Sequence, residues 1–376
     1  MSLTCLLIAD DLTGACDAAA PFAARGHRTA VRLEAEGAAE GLDVLAVTTE
    51  SRALPAAALR GVFERTAAAL GGMEPRVVFK KIDSTLRGNV GMEVALAAEA
   101  FDCEAAIVTP AFPAMNRMVH AGWLRVAGAS FEPIEMAAFW RAQGLECAHV
   151  SPESLDAALA SGARFVSVDA ASDADLDAIV QCGLGSGRRM LWAGSAGLAS
   201  ALARVLEGQA GTCPGAGWQA KACPTGGACF SLPVLFCLGS DHAVTLEQER
   251  NLIAARGALA LDATTAAPER IAAALAAGRH VALRIPYGLV SIERTRQLLG
   301  GLRGGLLLTG GDTASLVCRA LGAAGIRLDH ELAPGIPRGA IAGGPFHGAP
   351  VVTKSGGFGA PDALIRIADY FTCPTR

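Results

Sequence analysis

The sequence predicts an α/β protein of two domains, each with a largely parallel sheet flanked by helices. Short runs that are apolar on both faces alternate with alanine-rich stretches of helical character, as in parallel sheets covered on both sides. The chain has 376 residues, which is more than one hydrophobic core usually organises. The alternation stops at residues 208–232, where Gly, Pro and Cys are crowded, and then resumes.

The first domain, residues 1–207, is expected to alternate strands and helices along the chain. Its strands are predicted at residues 4–9, 29–33, 44–48, 77–81, 105–109 and 164–168. Its helices are predicted at residues 13–25, 55–70, 88–100, 155–161 and 174–182.

A linker is expected at residues 208–232, and a second domain at residues 233–376 repeats the alternation. Its strands are predicted at residues 233–238, 258–261, 280–284 and 305–309. Its helices are predicted at residues 244–255, 268–276 and 291–300, with a last helix from Pro361.

The charge balance and hydropathy argue against several classes of partner. Lys and Arg number 32 against 36 Asp and Glu, so the basic surface of a nucleic-acid-binding protein is not expected. The longest uncharged stretch, residues 222–240, contains Pro224, Pro233 and several glycines, which makes it a poor membrane span. No Lys or Arg precedes the apolar run at the N-terminus, so a signal peptide is not expected. We therefore expect a cytoplasmic protein with neither nucleic-acid nor membrane partners.

Polar segments follow four of the predicted strands of the first domain. They are the Asp10-Asp11 pair, the Glu50-Ser51-Arg52 segment, KKIDSTLRGNVG (residues 80–91) and TPAFPAMNR (residues 109–117). The carboxyl ends of parallel strands meet at one edge of a sheet, and ligands of open α/β sheets bind there. We therefore expect these four segments to lie close together.

Asp10 and Asp11 allow two interpretations. Asp is well suited to cap the following helix, but only one carboxylate is needed for this. The second would then be a candidate general base or Mg²⁺ ligand. A functional role for the carboxylate that capping does not need is therefore the favoured interpretation, and capping alone is the alternative.

The segment at residues 80–91 has the character of an anion-binding loop. Its charged and hydroxyl side chains lead through a glycine into a helix, whose first backbone N–H groups and dipole favour a bound anion. Arg52 could add a planar fork for a carboxylate. The alternative is a capped helix surrounded by solvated charges.

Three glycine-containing turns of the second domain connect a strand to a helix. They lie in FCLGSDHAVT (residues 236–245), LLLTGGDTASL (residues 306–316) and VVTKSGGFGAPDAL (residues 351–364). Glycines allow a phosphate to approach the backbone, and helix N-termini hold it. Neither a P-loop motif nor a G-x-G-x-x-G after the first strand is present, so the turns predict a nucleotide site of another type. AGSAGLA (residues 193–199) is interpreted as a helix start.

In their order, these motifs resemble those of the four-carbon acid sugar kinases. The motifs are IADDLTGA, the Arg of ESR, KKIDSTLRG, PAFPxxxR, GSAGLA, LTGGDTA and KSGGFG, and they span nearly the whole chain. The resemblance implies an N-terminal domain that binds a sugar acid, a C-terminal domain that binds ATP, and an active site in the cleft between them. Members phosphorylate D-threonate, D-erythronate or a 3-oxo-tetronate at the terminal hydroxyl.

The resemblance also implies which residues of this sequence form the sites. The catalytic candidates are Asp10, Asp11 and Asp83. The substrate-binding candidates are Arg52, Lys81, Ser84, Arg87 and Arg117. The nucleotide-binding candidates are Ser240, Gly310, Gly311, Asp312, Thr313, Gly356 and Gly357. Mg²⁺ is expected with ATP, and no residue is assigned as a metal ligand.

This chain departs from the family pattern at three places. Asn116 replaces a glycine before Arg117, and Asn tolerates a left-handed backbone. Asp241 and His242 follow Ser240 where small residues are usual. Residues 258–300 form a short segment for the family, and no adenine contacts are carried over to it.

The functional hypothesis is therefore an ATP-dependent kinase that phosphorylates the terminal hydroxyl of a four-carbon sugar acid. Two alternatives remain: an NAD-dependent dehydrogenase of hydroxy acids, and a non-catalytic sensor of a sugar acid. A homodimer is expected from general frequency alone.

Overall fold

The computed structural model describes residues 3–37, 39–127, 131–207 and 232–372. The chain divides into two compact units, Met1–Pro214 and Gly215–Arg376. The α/β class and the presence of two domains are as predicted. The predicted linker lies outside the described residues except for Leu232, and the location of the active site between the two domains stays a prediction.

Among the described residues, the first unit contains eleven strands and seven α-helices. In chain order they are β1 (Cys5–Ala9), α1 (Leu12–Ala23), β2 (Thr29–Arg32), β3 (Val44–Thr48), α2 (Ala56–Ala69), β4 (Val77–Lys81), α3 (Val90–Ala100), β5 (Ala105–Thr109), β6 (Arg117–His120), β7 (Trp123–Val126), β8 (Ile134–Glu135), α4 (Met136–Ala142), β9 (Ala148–Val150), α5 (Leu155–Ala160), β10 (Phe165–Val168), α6 (Asp173–Gly185), β11 (Met190–Gly194) and α7 (Ala196–Glu207).

The main sheet of the first unit is parallel, with the strand order β2-β3-β1-β4-β11-β5-β10-β9. Strands β1, β3, β4, β5 and β11 are buried along their whole length, because helices cover both faces. Strand β1 lies between β3 and β4, so the segments that follow these three strands meet at one edge. The interpretation of AGSAGLA is confirmed, since α7 begins at Ala196.

The second unit contains seven strands and five helices within the described part of the chain. They are β12 (Val234–Leu238), α8 (Ala243–Arg256), β13 (Leu259–Asp262), α9 (Pro268–Ala276), β14 (Val281–Arg284), α10 (Ile292–Leu299), β15 (Gly305–Thr309), α11 (Gly311–Ala320), β16 (Gly325–Ala333), β17 (Ile336–Ala342), β18 (Pro350–Lys354) and α12 (Ala363–Thr372).

Its strands β13-β14-β12-β15-β18 are parallel neighbours in this order, and β17 and β16 continue the sheet in antiparallel orientation. The core packs Phe236, Leu307 and Val352 of the sheet against Leu364 and Ile367 of α12. Because β12 lies between β14 and β15, and β15 borders β18, the three glycine turns follow neighbouring strands.

The antiparallel parts of both units were not predicted. The first unit carries a small sheet of β6, β7 and β8, and the second unit carries the β16–β17 pair. Strands β6, β7 and β8 have two to four residues, which is too short for a clear alternation of apolar and polar side chains. Among the described residues, no helix is long and apolar enough to cross a membrane.

Candidate active site

The turn between β1 and α1 uses its two carboxylates in different ways. Asp11 is the N-cap of α1, and its side chain accepts hydrogen bonds from the Gly14 amide and, at 3.1 Å, from the Thr13 hydroxyl. A Cβ at position 14 would lie only 2.8 Å from Oδ1 of Asp11, so this cap needs the glycine. Asp10 is the carboxylate that capping does not require.

Arg52, just after β3, connects the two aspartates. Its Nε and Nη2 each donate to one oxygen of Asp10 at 2.8 Å, and its Nη1 forms an ion pair with Asp11. Its Nη2 lies 4.0 Å from Oδ1 of Asp83, at the end of β4. Three carboxylates thus surround one guanidinium at the end of the sheet. They are close together because β1 lies between β3 and β4.

The charges at this edge keep Asp10 ionised. Burial alone would raise its pKa, but the positive charges of Arg52, Lys80 and Lys81 hold the pKa of Asp10 below its usual value. Burial alone would also lower the pKa of Arg52, and the charges of Asp11 and Asp10 raise it instead. Asp10 and the Arg52 guanidinium therefore stabilise each other's charged forms.

Asp83 organises the loop after β4. It accepts from the amides of Thr85 and Arg87 at 3.2 Å, and from Nε and Nη2 of Arg87 at 2.9 and 2.7 Å. Although burial opposes ionisation, these donors hold the pKa of Asp83 far below its usual range. Ser84 is buried in the same loop. Asp83 thus holds the loop through both of its oxygens.

Within the described residues, the start of α3 lacks the side-chain cap that the alternative interpretation of this loop, a capped helix, would require. Asn89 stands at the N-cap position, yet within the described residues its side chain makes no capping bond. Its Nδ2 donates instead to the Leu54 carbonyl at 2.9 Å, which ties the loop after β4 to the loop after β3. Gly88, with a φ of 89°, lies against the Arg52 backbone at a point where a Cβ would approach the Arg52 carbonyl oxygen to 3.2 Å.

The two lysines that end β4 face opposite sides of the sheet, as successive strand residues do. Lys81 donates to the Ile82 carbonyl at 3.0 Å, and its Nζ lies 3.3 Å from where a Cβ of Gly14 would be, so it belongs to the site. Lys80 is fully buried and pairs with Glu93 of α3 at 2.7 Å. The sequence reasoning missed this pair, although a Glu in the first turn of the next helix is a signal for it.

Asp17 of α1 is a second residue that the sequence reasoning missed. It is 3 % exposed, and within the described residues its Oδ1 has no hydrogen-bond partner. Burial raises its pKa to about 6, and the charges of Lys81 and Arg117 act against this shift. Asp17 lies three residues after Gly14 and four after Thr13, so all three share one face of α1. This spacing could have indicated that Asp17 lies near the site.

Arg117 lies at the start of β6 and is largely buried. Its Nη1 donates to the Met115 carbonyl at 2.8 Å. Burial lowers its pKa, against the opposing charges of Asp83 and Asp17. Asn116 has a φ of 57°, so the left-handed turn expected for the usual glycine is kept.

The raised pKa of Asp17 leads to a prediction about stability. Because its folded pKa of about 6 lies above the ordinary 3.8, the folded protein binds this proton more tightly than the unfolded chain does. The contribution favours folding at low pH and is lost as the pH rises through 6. The Asp17→Asn substitution removes this contribution. We therefore expect the unfolding free energy of the wild type, minus that of the variant, to be about 2 kcal/mol smaller at about pH 7.5 than at about pH 4.5.

Urea unfolding at both pH values measures this difference. Because only the change with pH is compared, a constant cost of the substitution cancels. An equal difference at both pH values would contradict the assigned protonation of Asp17.

In the second unit, the turns after β12, β15 and β18 pack closely on one another. A Cβ on Gly239 would overlap the Thr313 side chain, and one on Gly356 would overlap the Ser240 hydroxyl. A Cβ on Gly357 would lie 3.2 Å from the His242 ring. The three predicted turns therefore form one cradle of half-buried backbone, and its shape depends on glycines, because a Cβ at these positions would clash.

The remaining nucleotide candidates lie at the start of α11. Gly310 is its N-cap with a φ of 93°, Gly311 begins the helix, and Asp312 lies in its first turn. Thr313 is buried. His242, left unassigned by the sequence reasoning, caps α8 by accepting from the Val244 amide at 3.2 Å.

Buried side chains behind the last turn bind its carbonyl groups. Thr245 Oγ1 donates to the Gly356 carbonyl at 2.7 Å, and Gln248 Nε2 donates at 2.9–3.0 Å to the carbonyls of Phe358, Gly359 and Ala360. Lys354 donates at 3.0–3.3 Å to the carbonyls of Ser355, Gly356 and Phe358. Burial lowers the pKa of Lys354 to about 7.

Because these buried side chains bind its carbonyl groups, the turn after β18 directs its carbonyl side toward the protein interior. Among the described residues, neither the Gly356 nor the Gly357 amide has a backbone acceptor. Successive backbone N–H groups that have no backbone acceptor form anion-binding concavities. The cradle therefore has the chemistry of a phosphate site.

Comparisons with known proteins agree with this division. A family model described as the sugar-binding N-terminal domain matches residues 5–144 and 141–202. A second, described as the nucleotide-binding C-terminal domain, matches residues 244–364. Arg52 and its carboxylates thus lie in the sugar-binding domain, and the glycine cradle after β15 and β18 lies in the nucleotide-binding domain.

Relatives of known activity align over nearly the whole chain. A D-threonate kinase of Bordetella bronchiseptica is 38 % identical and covers 96 % of both chains. A D-erythronate kinase of Heliobacterium modesticaldum is 30 % identical and covers 97 % of this chain and 96 % of its own. A Salmonella typhimurium LT2 crystal structure, described as a putative tRNA synthase, superposes with a TM-score of 0.71. At 22 % identity, over 98 % of this chain and 99 % of the other, it shows the shared fold.

The two domains and their relatives define an enzyme that phosphorylates a sugar acid. The chain belongs to the four-carbon acid sugar kinase family. The resemblance drawn from the motifs is thereby confirmed. The two alternatives, a dehydrogenase and a non-catalytic sensor, find no support.

Proposed function

We propose that the protein transfers the γ-phosphate of ATP to the terminal hydroxyl of a four-carbon sugar acid, with D-threonate as the preferred substrate. The observation that carries this proposal is the joining of Asp10, Asp11 and Asp83 around Arg52 at the edge of the sugar-binding domain. The D-threonate kinase at 38 % identity supports the choice of substrate.

The sugar acid would bind through the cations of this edge. Arg52 offers a planar fork for the carboxylate or a hydroxyl, and Lys81 and Arg87 add positive charge. Ser84 and Arg117 line the same group of loops and are proposed as further contacts. An acid that reaches Arg52 competes with Asp10 for its N–H groups, so binding frees a carboxylate oxygen for a substrate hydroxyl.

Asp10 or Asp11 is proposed to orient the attacking hydroxyl and to accept its proton. Phosphoryl transfer demands mainly positioning and charge neutralisation, so the carboxylate need not be a strong base. Asp83 already accepts five hydrogen bonds from Thr85 and Arg87 at 2.5–3.2 Å. We therefore propose that Asp83 positions the loop and does not take the proton.

ATP would place its phosphates in the glycine cradle. Ser240, Gly356 and Gly357 provide hydroxyl and amide donors, and the Gly310–Thr313 turn adds the N-terminus of α11. Asp312 fits Mg²⁺, because this ion is commonly held by one or two carboxylates together with phosphate oxygens and water. Within the described residues, no three His, Cys, Asp or Glu side chains form a separate metal site. When bound, Mg²⁺ neutralises charge on the transferred phosphoryl group.

Release of ADP with a panel of sugar acids tests this proposal. The panel contains both enantiomers of threonate and erythronate together with 3-oxo-tetronate, each with Mg-ATP. We expect turnover to be strongest with D-threonate and to stop when EDTA removes the metal. A folded protein that releases no acid-dependent ADP with any of them would contradict the proposal. The homodimer and the cytoplasmic location stay predictions.

A further inference from the structure

An exposed apolar turn follows strand β14 in the nucleotide-binding domain. Within the described part of the chain, only five large apolar side chains are exposed, and three of them lie at Tyr287, Leu289 and Ile292. Tyr287 is 70 % exposed and Leu289 is 72 % exposed. We call residues 286–289 the apolar turn. Such a concentration of exposed apolar surface is typical of a binding site.

The apolar turn is fixed at both ends. Ile285 and Val290, on either side of it, are buried at 2 % and 8 % exposure. The Leu289 amide donates to the Pro286 carbonyl at 3.3 Å, and Gly288 has a φ of 71°, which closes a tight turn. Two side chains are thus presented to solvent on a short loop with anchored ends.

The apolar turn starts beside the phosphate cradle. Strand β14 is the parallel neighbour of β12, so the segments after both strands lie at the same edge. Arg284, the last residue of β14, donates through Nη1 to the Ser240 carbonyl at 2.9 Å. The Ile285 amide donates to the Leu238 carbonyl at 2.9 Å. The chain therefore enters the apolar turn directly from contacts with the segment that carries Ser240.

We propose that Tyr287 and Leu289 bind the adenine ring of ATP, with Tyr287 stacking on its face. The cradle supplies polar groups suited to phosphates, whereas a purine needs a flat or apolar surface next to them. Aromatic side chains provide such a surface because every base has a π-face. This inference rests on the proposed use of ATP, and it assigns the base-binding part of the site.

Calorimetry with ATP and with inorganic tripolyphosphate separates the contribution of the base to the affinity from that of the phosphates. For Tyr287→Ala we expect the Kd of ATP to rise about tenfold and that of tripolyphosphate to stay unchanged. Tyr287→Phe keeps the ring and should retain the wild-type affinity. Leu289→Ala should weaken ATP binding by a smaller factor. Met92→Ala, which removes an exposed apolar side chain of the sugar-binding domain, serves as the matched control.

The outcomes distinguish this inference from the proposed function. Equal ATP affinity of wild type and Tyr287→Ala would overturn the adenine contact and leave ATP use intact. A change of oligomeric state in Tyr287→Ala with unchanged ATP affinity would overturn it too, in favour of an interface between copies of the chain. A wild type that binds tripolyphosphate but gains no affinity from the base would also overturn it. A wild type that binds neither ligand would overturn the proposed function as well.

Discussion

Arg52→Met should lower kcat/KM for the sugar acid by about a thousandfold or more. The substitution removes the fork proposed to bind the acid, and it leaves the buried Asp10 without its two hydrogen bonds of 2.8 Å. Breaking one side of a buried ion pair is strongly destabilising, so we also expect the free energy of unfolding to fall by about 3 kcal/mol at neutral pH. Steady-state kinetics and urea unfolding measure the two effects.

Two further variants make this test specific. Arg52→Lys keeps a positive charge near Asp10 but loses the planar fork, so it should stay close to wild type in stability and still lose about a hundredfold in kcat/KM. Arg60→Met removes an arginine of the same unit whose ion pair with Glu99 is 58 % exposed on both sides. It should change neither activity nor stability measurably, since exposed pairs contribute little. Activity of a folded Arg52→Met protein within tenfold of wild type would contradict the proposed role.

Gly356→Ala should raise the KM for ATP by about a hundredfold and leave the KM for the sugar acid within about twofold of wild type. The added methyl group would overlap the Ser240 hydroxyl. Rotating that hydroxyl does not remove the conflict, because the Ser240 Cβ lies only 2.7 Å from the new atom. The two strand-to-helix turns would therefore have to separate, and the cradle proposed for the phosphates would change its shape.

Gly300→Ala is the matched control in the same unit. Its backbone is right-handed, with a φ of −58°, and its nearest new contact, at 3.5 Å, is an ordinary van der Waals distance. We expect its kinetics to equal those of wild type. An unchanged KM for ATP in Gly356→Ala would place the phosphates elsewhere, whereas a parallel loss of sugar-acid binding would indicate general misfolding.

The common edge of the polar segments could be predicted from the sequence because parallel strands impose it. Strands β3, β4, β5 and β15 have the predicted bounds, since each is a short run that is apolar on both faces and ends at polar residues. The glycine turns were predictable for a similar reason: a glycine between a strand and a helix permits a close approach of backbone.

The partners within the site were not predictable, because they depend on the order of strands in the sheet. Arg52 meets Asp10 only because β1 is inserted between β3 and β4, an arrangement that the order of strands in the sequence does not reveal. The Lys80–Glu93 pair and the buried Asp17 have only local signals in the sequence, a Glu in the first turn of α3 and a shared helix face with Thr13 and Gly14. Their burial depends on how α3 and α1 pack on the sheet. Charged residues are seldom fully buried, so a pattern of apolar residues does not point to them.

The position of the new phosphate ester tests the central claim most directly. After a complete reaction of D-threonate with Mg-ATP, phosphorus and carbon NMR of the product shows which hydroxyl carries the phosphate. We predict a single monoester at the terminal hydroxyl, formed in equal amount to ADP, and no detectable ester from the Arg52→Met protein within the time in which the wild type completes the reaction. A phosphate on an internal hydroxyl, or ADP formed with free phosphate and no ester, would contradict the proposed function of this site.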